Sequence, residues 1–229
     1  MLFRALALGV AIAALVAAPA SAASTLAPLK PCYVAATPIS REFVVIDGLG
    51  FTPLSAVDVY VDDILQPPDG TEPRRANYDT TVRSSVAAPF IEDGERMFAL
   101  RVTEHDTPAN TATQLAKVTR LSVEQSPERA ATNDRVRFRG RGFMLDAPIY
   151  AHYVFAGKSR RTVRIGMPSG DCGRFSVKRK QFPFKGSPRV GSWTIWFDQE
   201  AHYNPKAAVR VPLTIRVRSQ IKPRRARAR

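Results

Sequence analysis

Apolar and polar residues alternate in short runs along most of this chain. Phe43, Val45 and Asp47 alternate with Val44 and Ile46. Val57, Val59 and Val61 alternate with Asp58, Tyr60 and Asp62, and Phe98, Leu100 and Val102 with Ala99, Arg101 and Thr103. A period of two sends successive side chains to opposite faces, so each run predicts a strand with one buried face. Residues 80–87 predict a further strand after a Pro- and Asp-rich loop over 67–79, and residues 117–123 close the first half. No stretch shows the period of an amphipathic helix.

The second half repeats the first. Gly48-Leu49-Gly50-Phe51 returns as Gly140-Arg141-Gly142-Phe143, and Leu121 and Val123 return as Leu213 and Ile215, all 92 residues on. Val136 and Phe138 precede the second glycine turn. Residues 149–155, 162–167 and 174–182 supply strands, and residues 206–218 the last one. Trp193, Ile195 and Phe197 stand where Phe98, Leu100 and Val102 stood, at an offset of 95. An indel in a loop produces such a shift. Six or seven short strands in roughly 90 residues predict one β-sandwich per repeat. Glycine takes positive φ without a Cβ clash, so the G-x-G-F element predicts a sharp turn that drops Phe51 or Phe143 into a core. The expected domains are residues 31–124 and 128–219, with Gln125-Ser126-Pro127-Glu128 as a proline-stiffened joint.

Residues 1–22 read as a secretory signal peptide. Arg4 gives the positive start, residues 5–18 a short apolar run, and Ala20-Ser21-Ala22 a cleavage site. That run is shorter than the ~20 residues of a membrane-crossing helix, and no later run approaches that length. The expectation is a secreted or cell-envelope-associated chain with no transmembrane span after processing. Cys32 and Cys172 permit one bridge. The alternatives are two unpaired cysteines or a nucleophile, and an oxidising compartment favours the bridge. A bridge would tie the start of the first repeat to the middle of the second.

The G-x-G-F elements and the strand order resemble the bacterial immunoglobulin-like and IPT/TIG-like domains of exported proteins. Cys32-Tyr33, residues 50–53 (Gly-Phe-Thr-Pro), Ala151-His152-Tyr153, Cys172-Gly173 and Gly191-Ser192-Trp193 resemble uncharacterised secreted proteins of high-GC actinobacteria. The resemblance covers essentially the processed chain. It implies an all-β fold of two tandem immunoglobulin-like β-sandwich domains and an extracellular location, and it implies no activity.

Charge divides the repeats. Residues 23–124 hold 9 Lys and Arg against 14 Asp and Glu; residues 125–229 hold 24 against 6. Arg135, Arg137, Arg139 and Arg141 share one strand parity and Arg216 and Arg218 another, so each set is expected on a solvent-facing side. Lys158, Arg160, Arg161 and Arg164 crowd one hairpin and Lys178-Arg179-Lys180 another, while residues 220–229 form a basic tail expected to be disordered. Such a field attracts polyanions more strongly as salt falls. The expected partners are an anionic wall polymer, an acidic polysaccharide or an anionic lipid surface, with nucleic acid as a non-specific further partner. Arginine-rich coding would give the same pattern on solvated faces, and both readings stand. Opposite net charges on the two repeats also predict salt-sensitive self-association.

Catalytic signatures are sparse. The three histidines are His105, His152 and His202, and zinc-type cysteine pairs, H-E-x-x-H and G-x-S-x-G are absent. Asp58, Asp62, Asp63 and Asp69 lack calcium-loop spacing and read as turn residues. No cofactor and no metal is expected. The expected function is non-catalytic binding through Arg135, Arg137, Arg139, Arg141, Arg160, Arg161, Arg164, Arg216 and Arg218. One alternative is a sugar- or protein-binding adhesion module using Trp196, Tyr153 and Tyr203; another is a thiol enzyme at Cys172.

Overall fold

A computed structural model describes residues 23–218 except 69 and 208. The expected signal peptide, the basic tail and Asp69 lie outside the described residues. Fifteen strands and no helix form among the described residues, so none contains a helix long and apolar enough to cross a membrane.

The first sandwich packs two sheets. One orders β1 (Thr25–Leu26), β3 (Phe43–Leu49) and β6 (Val82–Ala87). The other orders β2 (Cys32–Ala35), β8 (Thr111–Arg120), β7 (Glu95–Glu104), β4 (Val57–Val61) and β5 (Ile64–Leu65). The β2–β8 pair is parallel and the remaining pairs are antiparallel. In the second sandwich, β9 (Ser122–Ser126), β10 (Arg135–Arg141) and β13 (Phe175–Lys180) form one sheet in the order β13-β10-β9. The facing sheet orders β12 (Lys158–Gly166), β11 (Ile149–Phe155), β14 (Gly191–Asp198) and β15 (Val211–Val217). Two facing sheets, antiparallel apart from the β2–β8 pair, with crossovers between them define an immunoglobulin-like sandwich, and the chain contains two in tandem.

Alternation builds each core as the sequence predicts. Val44 and Ile46 on β3, and Val136 and Phe138 on β10, point inward while their neighbours face solvent. Gly50 and Gly142 take φ of 86° and 83°. Phe51 and Phe143, which follow them, are buried in separate apolar clusters. A Cβ on Gly140 would stand 2.2 Å from the Phe175 ring, so the ring packs directly on bare backbone there.

Three expectations are corrected. The segment 117–123 is not one strand: it breaks at Leu121, where β8 leaves the first sandwich and β9 enters the second. The joint therefore lies at Leu121, because Gln125 and Ser126 already pair with Phe138 and Arg137 on β10. Nor do Leu121 and Val123 correspond to Leu213 and Ile215. Phe98 and Leu100 pair with Ala116 and Gln114, whereas Trp193 and Ile195 pair with Ile215 and Leu213. The true counterparts are thus Ala116 and Gln114, and Leu121 and Val123 pack into the second core.

Covalent and ionic ties join the sandwiches. Cys32 and Cys172 form a disulfide with a Cα separation of 5.2 Å, which removes the thiol that the enzyme alternative at Cys172 requires. Around it Lys117 pairs with Asp171 at 2.7 Å, Asp93 with Arg141 at 3.5 Å, and Glu95 with Arg174. Hydrogen bonding to the Lys117 ammonium holds the Asp171 carboxyl below its usual range.

Candidate anion-binding face

The outer face of the β9–β10–β13 sheet presents the arginines of β10. Their parity places all four outside, above the inward Val136, Phe138 and Gly140. Register adds cations from the neighbouring strand: Arg135 stands opposite Lys180 and Arg137 opposite Lys178, while Arg139 faces Ser176. On the other flank Arg137 faces Ser126 and Arg139 faces Glu124.

This stripe is not uniform. Arg139 lies 3.8 Å from Glu124, and Arg141 is engaged by Asp93 of the first sandwich. Arg135 donates to the Lys178 carbonyl at 3.1 Å, and Arg137 reaches Ser176 Oγ at 3.4 Å. Among the described residues no carboxylate pairs with Arg135, Arg137, Lys178 or Lys180. Like charges directly opposite one another on adjacent strands oppose sheet formation. The first sandwich avoids the problem at the equivalent places. Phe43 faces Ala87, Val45 faces Ser85, and Asp47 faces Arg83. The fold accepts neutral or compensating residues there, so it does not itself require the cations.

The other predicted cations are dispersed. Arg160, Arg161 and Arg164 lie on β12, in the opposite sheet, with Arg161 beside Tyr153 and Arg164 beside Tyr150 in register. Arg161 nevertheless reaches round the sandwich edge and lines a recess together with Arg135 and Lys178. Arg216 on β15 faces Ser192 on β14, and Arg218 follows β15. Arg216 belongs to the sheet opposite β10 and Arg218 lies just past the end of its strand, so the nine arginines do not make one surface.

The aromatic set is corrected by burial. Tyr153 is 2% exposed, packed between Phe182 and Phe184. Parity on β11 sends it into the core, and that burial pushes its phenol well above the ordinary range. Trp196 has the opposite parity, as expected from Trp193, Ile195 and Phe197, but the Arg210 guanidinium lies 4.2 Å over its ring. Tyr203 leans on His152 at 5.7 Å between centroids. These three rings form no common platform.

Sequence reasoning missed the buried polar cluster around His152. This side chain is fully buried on the outer side of its sheet, beneath the segment that follows β14. Its Nε2 lies 2.9 Å from Asp198 Oδ1 and 3.1 Å from the Glu200 carbonyl, both acceptors, so Nε2 carries the proton. Nδ1 hydrogen-bonds the Thr162 hydroxyl at 2.8 Å. Asp198 Oδ1 also accepts from the Glu200 amide at 2.9 Å. The arrangement fastens the segment after β14 over the sheet. Asp198 lies 46 residues from His152, so no local motif announced the pair.

Three of the aspartates noted in the sequence are engaged by side chains: Asp58 by the His105 ring, Asp62 by Arg96, and Asp63 by Arg101. No group of three or more metal-ligating side chains occurs among the described residues.

No known protein family matches the chain, and no curated protein does. A solved structure of the titin domains Z1Z2 in complex with telethonin is similar at 13% identity, covering 85% of this chain and 94% of that one with a TM-score of 0.27. The strand order and sheet pairing described above define the fold independently of that likeness.

Proposed function

We propose that this is an exported, non-catalytic protein that binds an anionic envelope or extracellular polymer through its second sandwich. The observation that supports this reading is the pair of like-charged cross-strand contacts, Arg135 with Lys180 and Arg137 with Lys178, left without carboxylate partners among the described residues. A polyanion laid across them supplies the missing charge. Guanidinium and ammonium groups suit phosphate and carboxylate alike. Wall polymers, acidic polysaccharides and anionic lipid surfaces all meet the requirement. Export is supported by the signal-type segment at residues 1–22 and by the Cys32–Cys172 disulfide, since such bonds persist in oxidising compartments.

The test is co-sedimentation with isolated cell-wall sacculi across a salt series. The wild type is compared with a variant carrying Arg135→Ser, Arg137→Ser, Lys178→Ser and Lys180→Ser, and with an Arg216→Ser/Arg218→Ser variant of the opposite sheet. Binding should fall with salt, and for the quadruple variant the salt slope should shrink by up to about one per cation removed. The Arg216/Arg218 variant should stay near wild type. Equal binding by the wild type and the quadruple variant would reject this surface.

A further inference from the structure

Phe184 stands between two neighbouring recesses at the edge where β12 and β13 approach. One recess, of about 620 Å³, is lined by six cations: Arg135, Arg161, Lys178, Arg179, Lys180 and Lys185. The other, of about 260 Å³, is flanked by Arg160 and Arg189. Phe184 lines both, and Trp193 lines the smaller one. Among the described residues these eight cations form no ion pair. Arg179 donates to the Ile165 carbonyl at 3.1 Å and Arg135 to that of Lys178, which positions both guanidiniums without neutralising them.

Phe184 is a braced ring. Its centroid lies 5.7 Å from Tyr153 and 5.2 Å from Trp193. Trp193 is itself held by donating Nε1–H to the Arg189 carbonyl at 2.8 Å. Most of the Phe184 side chain is spent on the core, and the exposed remainder borders the recesses. A rigid ring set among unpaired cations matches a polymer with a negative charge and a flat unit in each repeat.

We propose that the two recesses form a track for single-stranded nucleic acid, with the cations on phosphates and Phe184 stacked on a base. This rests on the polyanion reading and narrows it to one ligand class. The lining residues favour nucleic acid over an acidic polysaccharide. Sugar hydroxyls call for acceptors as well as donors, and Lys and Arg side chains donate only. No carboxylate or side-chain amide lines either recess among the described residues, and the one side-chain hydroxyl is that of Ser187 in the smaller. A duplex hides its base faces, whereas unstacked bases can lie on an aromatic ring irrespective of sequence.

The experiment is fluorescence anisotropy of the protein with three probes: a labelled oligothymidylate, an abasic oligonucleotide of equal length and charge, and the oligothymidylate competed by alginate. Oligothymidylate should bind about five- to a hundredfold more tightly than the abasic strand, as expected for stacking of a base. Phe184→Leu should remove that preference while leaving abasic binding unchanged, and Arg160→Ser/Arg189→Ser should weaken both strands. Equal affinity for the two strands, or displacement by alginate at lower concentration than unlabelled oligothymidylate, would overturn the nucleic-acid inference and leave the polyanion reading standing. Failure of every probe, together with failure to bind sacculi, would overturn both.

Discussion

Glu104 and Gln199 make the same hydrogen bond in the two sandwiches. Glu104 ends β7, the strand carrying Phe98, and Gln199 directly follows β14, the strand carrying Trp193. Each accepts through Oε1 from the backbone N–H just after a G-x-G-F turn. For Glu104 the donor is Thr52, and for Gln199 it is Met144. The surroundings then differ. Glu104 also accepts from Asn110, whereas Gln199 donates to the Met144 and Ala147 carbonyls at 2.7 Å. Gln199→Glu should therefore destabilise the protein by about 1–3 kcal/mol, because it turns a carboxylate onto two carbonyls. Glu104→Gln should cost less, since the amide oxygen keeps the bond to Thr52. Urea denaturation of both variants checks the order, and a larger loss for Glu104→Gln would contradict it.

The like-charge pairs on β10 and β13 should leave a thermodynamic signature. Lys178→Ser/Lys180→Ser should raise the thermal midpoint at low salt, with about 0.2–1 kcal/mol relieved per opposed pair. Added salt should stabilise the wild type more than the variant by screening the same repulsion. Scanning calorimetry in low and high salt makes the comparison, and identical salt responses would show that the pairs are not strained.

His105 and Asp171 should respond to pH in opposite senses. The hydrogen bond to Asp58 raises the His105 pKa. Its stabilisation is full below the ordinary histidine value of about 6.5 and is lost as pH rises through the folded value. Asp171 is depressed by hydrogen bonding to Lys117. Its contribution is present above the ordinary carboxyl value and is lost as pH falls through the folded one. Proton NMR should place the His105 midpoint above that of His105 in an Asp58→Asn variant. Asp171→Asn should lower the urea midpoint at neutral pH, and the difference from wild type should vanish in acid.

Removing the disulfide should loosen the joint as well as the fold. Cys32 and Cys172 are 140 residues apart, and loss of such a bridge costs about 2–5 kcal/mol. Cys32→Ser/Cys172→Ser should lose stability on that scale and gain protease cleavage near Leu121, where the chain passes between sandwiches. Limited proteolysis followed by mass spectrometry reads both, and unchanged cleavage would show that the Asp93–Arg141, Glu95–Arg174 and Lys117–Asp171 ion pairs suffice without the bridge.

The strands around Val44, Val59, Leu100, Phe138 and Ile195 were legible from alternation, and the two glycine turns and the buried Phe51 and Phe143 from the repeated G-x-G-F element. So was the outward row of arginines on β10. Each of these follows from backbone geometry within a few residues, where a period of two decides which side faces the core. The tertiary structure decided which strands lie side by side and in what register. Register set Lys180 opposite Arg135 and Lys178 opposite Arg137, and packing of loops and sandwiches drew Asp93 to Arg141, joined Asp198 to His152 and brought Phe184 among cations from three strands. It also moved the joint to Leu121, because β9 finds its hydrogen-bond partners on β10 and not in the preceding sandwich. Pairings of that kind join residues tens of positions apart and depend on how the whole sheet closes, so no local pattern in the chain contains them.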